Sequence, residues 1–199
     1  VERRRLIPVV RALAKDFEAP ISVDTQRAEI ANSALEVGAQ IINDVSGFKT
    51  DPKMARVVAD FGCSAVLMAA KQKPGDARTI PEIARALRES LRICDREGID
   101  KERVVIDPGI GFGKGTKYDL HILANLERLK VLGRPICVAV SRKSFIGQVL
   151  DLPDPADRLG GSLAATVIAV LGGASVIRTH DPRETVHAIR MVEAIKRAG

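Results

Sequence analysis

Residues 104–114 read Val104-Val105-Ile106-Asp107-Pro108-Gly109-Ile110-Gly111-Phe112-Gly113-Lys114. Three β-branched apolar residues run straight into a carboxylate, and the carboxylate into a Pro-Gly turn. A short apolar run bounded by turn residues is the pattern of a strand covered on both faces. A carboxylate at the end of such a strand needs a partner that carries positive charge or donates two hydrogen bonds. The alternating glycines invite comparison with phosphate loops, yet neither common template is met. GxGxxG requires Gly at 114, where Lys stands, and the Walker loop requires four residues between Gly and Gly-Lys-Ser/Thr. A tight strand-to-helix turn with φ > 0 accounts for the glycines. It does not account for Asp107, which is therefore read as functional.

Outward from this unit the same grammar repeats. Further apolar runs fall at 20–24, 40–44, 65–68, 136–140 and 175–178. Helical periodicity is expected over 28–36, 53–61, 81–97, 120–130 and 161–171, with Gly38, Gly62 and Gly98 as stops, and in flanking helices over 2–16 and 183–198. Strand-then-helix alternation of this regularity predicts a parallel sheet with right-handed crossovers. In a doubly wound sheet, functional residues gather at one switch point. Here successive runs end in Asp24, Asn43, Asp107, Ser141 with Lys143, and Arg178 with His180. A ring of polar strand ends is what the C-terminal face of a (β/α)₈ TIM barrel provides. The α/β fold is thus expected to be such a barrel represented by six βα units, whereas closure takes eight strands. Because the chain opens on a helix, two βα units are expected to be missing at its start. Residues 1–199 are read as a single N-terminally truncated barrel domain, since no linker or low-complexity tract divides them.

Composition narrows the classes. The 46% apolar and 28% charged residues are ordinary for a globular protein, and no apolar run approaches the roughly 20 residues that span a bilayer. No signal-peptide pattern opens the chain, so a cytoplasmic protein without a membrane partner is expected. Cys63, Cys94 and Cys137 form no CxxC pair and are read as buried free thiols. The net charge of +6 could address nucleic acid, but aromatics make up only 3%, which leaves few stacking platforms. No nucleic-acid partner is expected, and a share of the cations is assigned to a small anion.

The strand ends carry the candidate chemistry. Asp24 and Asn43 could cap the following helices, a frequent role for these residues, but their placement favours the barrel mouth; Asp44, one residue further out, suits loop stabilisation. Ser141-Arg142-Lys143-Ser144 sets two cations after a strand, where a lysine can reach the centre of the mouth as a point charge. Arg178 and His180, two residues apart, share one side of their strand and make an anion clamp. His121 and His187 fall in helical patterns and are expected at the surface. Neither a Ser-His-Asp triad nor a zinc cluster is evident, so no metal ligand is assigned within the chain.

The stretches ISVDT (21–25), IINDVSG (41–47), DPGIGFGK (107–114), SRKSFIG (141–147), RLGGSLAA (158–165) and RTHD (178–181) together resemble the dihydropteroate synthase family in order and spacing. The resemblance implies a transferase. It would join 6-hydroxymethyl-7,8-dihydropterin diphosphate to p-aminobenzoate, or a related arylamine, releasing diphosphate in folate biosynthesis. It further implies that Asp24, Asn43, Asp107 and Lys143 hold the pterin, and that Arg178 and His180 grip the diphosphate. Phe112, Lys143 and Ser144 would border the arylamine, and catalysis would fall to Asp24, Lys143, Arg178 and His180. A homodimer is implied, as is Mg²⁺ whose protein ligand comes from a strand preceding this segment. Two departures from the family's pattern stand out. Met68-Ala69-Ala70-Lys71-Gln72 replaces a usual His-Met-Gln-Gly, and Ala139 stands where Gly is usual; both suggest an altered second substrate. Two alternatives are a pterin-dependent methyltransferase barrel, which would need no diphosphate clamp, and a non-catalytic pterin-binding fragment.

Overall fold

In the computed structural model, which describes residues 1–198, helix α1 (Glu2–Asp16) leads into strand β1 (Ser22–Asp24). The chain then alternates through α2 (Ala28–Glu36), β2 (Ile41–Asp44), α3 (Met54–Phe61), β3 (Ser64–Met68), α4 (Ile80–Glu97) and β4 (Val104–Asp107). It continues through α5 (Thr116–Ala124), β5 (Cys137–Val138), α6 (Ser144–Leu150), α7 (Leu159–Leu171), β6 (Val176–Ile177) and α8 (Pro182–Ala198). Strands β1 to β4 pair in parallel and in chain order, with Asp24 opposite Asn43 and Met68 opposite Asp107. β5 and β6 form a second parallel pair. An isolated bridge between Ile106 and Ile136, with the Ile106 N–H donating to the Pro135 carbonyl at 2.9 Å, joins β4 to β5. Six parallel strands therefore follow one another as in a (β/α)₈ barrel. Among the described residues the sheet does not close. Across the gap from β6 back to β1, Arg178 Nη2 reaches Asp24 Oδ2 at 2.7 Å.

Local chemistry explains where helices begin and break. α4 starts on a capping box: the Thr79 hydroxyl accepts from the Glu82 N–H, while the Glu82 carboxylate accepts from the Thr79 N–H at 3.1 Å. Pro81 sits in its first turn and Gly98 ends it in the left-handed conformation. The single helix expected over 120–130 is instead two pieces, α5 and a 3₁₀ segment over Leu126–Leu132. Between them the Asn125 side chain donates to the His121 carbonyl at 2.9 Å, competing with the helical ladder at the point where it breaks.

The outward face of β1 to β5 is buried beneath the helices: Val23, Ile42, Ala65, Leu67, Val104, Ile106 and Val138 are all nearly inaccessible. Inward positions differ from the doubly apolar pattern read from the sequence. Ser22 and Asp24 are exposed, and Ile41, Val66, Cys137 and Val176 line a cleft of about 500 Å³ along the unclosed side. The core is thus sheet against helix. One cluster lies around β1–β3 with α1–α3, and another around β4 and β5 with α4–α7. Cys63, Cys94 and Cys137 are free and buried. No helix among the described residues is long and apolar enough to cross a membrane.

A buried carboxylate and a half-buried ammonium fix the loops after β2. Asp44 accepts from the N–H groups of Ser46 (2.7 Å) and Phe48 (3.0 Å), the loop-stabilising role its position suggests. Lys49 Nζ donates to the Ala70 carbonyl (2.6 Å), the Ala86 carbonyl (2.9 Å) and Ser90 Oγ (3.0 Å), fastening this loop to the one after β3 and to α4.

Candidate active site

The C-terminal strand ends open into one cavity of about 380 Å³, lined among others by Asp24, Asn43, Asp107, Phe112, Lys143, Arg178 and His180. All but one of the residues singled out from the sequence are brought together there. The exception is Ser144, exposed as the first residue of α6 and absent from the cavity lining. The loop turns between Lys143 and Ser144, so only the lysine projects into the mouth.

Asp107 ends β4 and is buried. Its Oδ1 accepts from the Gly109 N–H at 2.6 Å, the geometry the Pro-Gly turn produces; Oδ2 has no partner among the described residues. Burial pushes this carboxyl up to about 6, outweighing the Gly109 bond and the nearby charges of Lys143, Lys114 and Arg178. Lys143 is pulled the other way. Burial lowers its pKa, while Asp107 opposes the shift. Its Nζ sits 4.4 Å from the Phe112 ring centre, within cation–π range. Its stem packs so closely on Gly111 that a Cβ at 111 would lie 2.5 Å from Lys143 Cδ. Gly111 is needed twice over, because its φ is also +78°.

At the other end of the mouth, Asp24 accepts from Asn43 Nδ2 through one oxygen and from Arg178 through the other. Neither Asp24 nor Asn43 caps a helix, which removes the alternative reading of both. His180 Nδ1 lies 3.0 Å from Ser141 Oγ, which also accepts from the His180 N–H at 3.2 Å; Nε2 has no partner among the described residues. His121 and His187 are exposed. Lys114, although in the glycine-rich motif, faces away from the mouth and donates to the Ala77 carbonyl at 2.5 Å.

Val45 and Thr179 also line the cavity and were not singled out from the sequence; Met68, which opens a departure from the family's pattern, lines it too. Met68 stands opposite Asp107 in the parallel register. Among the described residues no three of His, Cys, Asp and Glu gather as a metal site. Asp24, the most exposed carboxylate of the mouth, is already committed to Arg178 and Asn43. These residues do not by themselves form a magnesium site.

The arrangement thus separates two chemistries: a buried acceptor edge at Asp107, suited to a ring rich in N–H donors, and a cationic rim at Lys143, Arg178 and His180, suited to an anion. The sequence profile described as pterin binding enzyme matches residues 1–180. The chain belongs to the pterin-binding enzyme family. It is 41% identical over 200 residues to the dihydropteroate synthase of Escherichia coli, covering 97% of this chain and 70% of that protein. Identity to the Clostridium beijerinckii dihydropteroate synthase is 39% over 197 residues, 98% of this chain and 73% of that one. Among solved structures, the Xanthomonas albilineans enzyme in complex with 7,8-dihydropteroate superposes with a TM-score of 0.92 at 38% identity. That match covers 98% of this chain and 74% of that one. The Yersinia pestis enzyme with a pterine-sulfa conjugate superposes at 0.91 with 37% identity, covering 100% and 77% respectively. In this family setting the open six-strand arc is the part of a (β/α)₈ barrel that carries the acceptor edge and the cationic rim.

Proposed function

We propose that the protein is a dihydropteroate synthase, condensing 6-hydroxymethyl-7,8-dihydropterin diphosphate with p-aminobenzoate or a related arylamine and releasing diphosphate. The observation that carries this reading is the pairing, in one cavity, of the half-satisfied Asp107 carboxylate with Lys143, Arg178 and His180. A methyl-transferring pterin barrel would have no use for the cationic rim.

Asp107 Oδ2 and Asn43, two strands away in the same cavity, bind the N–H edge of the pterin, and Lys143 stands between that end and the diphosphate. The diphosphate lies toward Arg178 and His180. The bond between the exocyclic methylene carbon and the ester oxygen breaks first, and its electron pair leaves with the diphosphate. The resulting cation is delocalised over the pterin, with Asp24 as the nearby negative charge, until the arylamine nitrogen bonds to the methylene carbon and sheds a proton. Fixed charges placed where charge develops are the main contribution the protein makes. Arg178 pairs with Asp24, but this ion pair is largely exposed and worth only about 0–1 kcal/mol. An incoming diphosphate can therefore take Arg178 over and leave Asp24 free to face the cation.

Magnesium, when bound, would offset the charge of the departing diphosphate; the described residues of the mouth do not by themselves hold it. Phe112 with the Lys143 stem forms the border at which the arylamine stacks. The exposed apolar side chains Ile168, Leu171, Met191 and Ile195 on α7 and α8 support association as a homodimer. The deciding experiment is a diphosphate-release assay with the pterin diphosphate and p-aminobenzoate, repeated with bulkier arylamines. Release that depends on the arylamine supports the transferase, and no release with any of them removes it.

A further inference from the structure

The two cationic loops of the mouth are tied together from behind by residues that do not border the cavity. Arg142 lies between Ser141 and Lys143, both of which do. Its backbone is left-handed, with φ of 57°. Residues with a Cβ avoid this conformation, and it persists only where the surroundings impose it.

The surroundings here are specific. The Arg142 N–H donates to Ser162 Oγ at 2.9 Å, and its carbonyl accepts from Arg158 Nη1 at 3.0 Å. Its guanidinium forks onto Asp181, Nε donating to Oδ2 at 3.1 Å and Nη2 to Oδ1. Asp181 directly follows His180, so this fork bridges the Lys143 loop to the His180 loop. Ser162 Oγ in turn donates to the Arg158 carbonyl at 2.7 Å, and Arg158 also donates to the carbonyls of Leu152 (3.0 Å) and Pro153 (2.6 Å). Gly147 leaves room for that guanidinium, since a Cβ there would fall 2.6 Å from Arg158 Nε. The SRKSFIG and RLGGS stretches thereby acquire a mechanical role alongside Lys143.

We propose that Arg142 and Asp181 form a positioning brace, locked by Arg158 and Ser162, which sets Lys143 and His180 at the mutual spacing that meets a diphosphate group. The identity of the anion rests on the transferase reading; the brace itself rests on the hydrogen bonds just described. Two planar groups joined by two parallel bonds fix orientation as well as distance. A misplacement of about 1 Å can cost a reacting group on the order of 100-fold.

The test exploits a difference in sign. By charge alone, Asp181→Asn removes a carboxylate near a cationic rim and should tighten an anion, whereas Arg142→Gln should loosen it, and the double variant should return near the start. The brace predicts otherwise. Each single substitution weakens inorganic diphosphate binding about tenfold, and the double variant loses no more than either, because one interaction is broken once. Affinity for 6-hydroxymethylpterin without diphosphate falls less than affinity for diphosphate, since Asp107 and Asn43, which accept from the ring, are untouched. In the condensation assay kcat falls by a similar factor.

Calorimetry with inorganic diphosphate on the unaltered protein and the three variants decides it. Unchanged or tighter binding in Asp181→Asn, additive effects in the double variant, or no diphosphate binding by the unaltered protein would each overturn the brace. Should Asp181→Asn fail to fold, Arg142→Gln against Arg142→Lys reads the same point. The lysine keeps the charge but loses the fork, so the brace expects both to weaken binding alike, and full retention by lysine refutes it. Failure of the unaltered protein to bind the bare pterin would instead remove the transferase reading while leaving the diphosphate comparison intact.

Discussion

The two ends of the cavity are built to different standards. Asp107 is 8% exposed, hydrogen-bonded to its own turn, and backed by the nearly inaccessible Met68 and Ile110. Arg178 and its partner Asp24 keep side-chain exposures of 60% and 45%, on the two strands that flank the unclosed side of the sheet. The first end is set before ligand arrives, because moving Asp107 would disturb a packed core. The second end can exchange partners, because an exposed ion pair costs little to break. Such a division suits a reaction in which one half of the substrate stays and the other departs. In the proposed reaction the ring would be held by the rigid end and the leaving group by the exchangeable one.

Substitution at the rigid end should have the largest effect. Asp107→Ala is expected to weaken pterin diphosphate binding by at least about 100-fold, or ~3 kcal/mol, since it removes a charged acceptor from a buried site; unchanged affinity by calorimetry would sink the pterin assignment. Next comes Gly111→Ala, whose methyl would collide with the Lys143 stem in a backbone conformation unsuited to alanine. Turnover should fall on the order of 10- to 100-fold through displacement of the lysine. A normal rate in this variant would show that Lys143 need not rest on that turn.

The pH response probes the same end more gently. Asp107 must be ionised to accept two N–H bonds, and burial places its pKa at about 6. Affinity for the bare pterin should be flat above that value and decline by about tenfold per unit below it. A profile that stays flat down to pH 5 would mean that another group accepts from the ring. The smallest effect belongs to the loose end. Asp24→Asn should shift the unfolding midpoint by less than about 1 kcal/mol equivalent, because its partner is solvated. A larger loss in denaturant titration would show that the two flanking strands depend on this contact, and would blur the contrast between the ends.

Much of this was legible in the chain itself. The bounds of α1 and α2 coincide with the apolar periodicity, and β4 with its three apolar residues and terminal Asp. Strand-end placement located seven cavity residues because parallel register puts successive strand ends at one level. What escaped detection depended on side-chain contacts and local geometry that a residue pattern does not record. Ser144, which the resemblance sets at the arylamine border, begins helix α6 and is exposed. The break at Asn125 came from a side chain competing for a backbone carbonyl, which periodicity cannot register. The link from Arg142 to Asp181 was invisible because the two lie 39 residues apart.

Lys49 carries a consequence for motion. With all three ammonium hydrogens engaged by the Ala70 and Ala86 carbonyls and Ser90 Oγ, it acts as a rivet through three segments of chain. Neither the loop after β2 nor the loop after β3 can lift without stranding a partly desolvated charge, whose burial already depresses its pKa. The two loops should therefore breathe as one cooperative unit, and their amide hydrogens should exchange with solvent at a common free energy of opening.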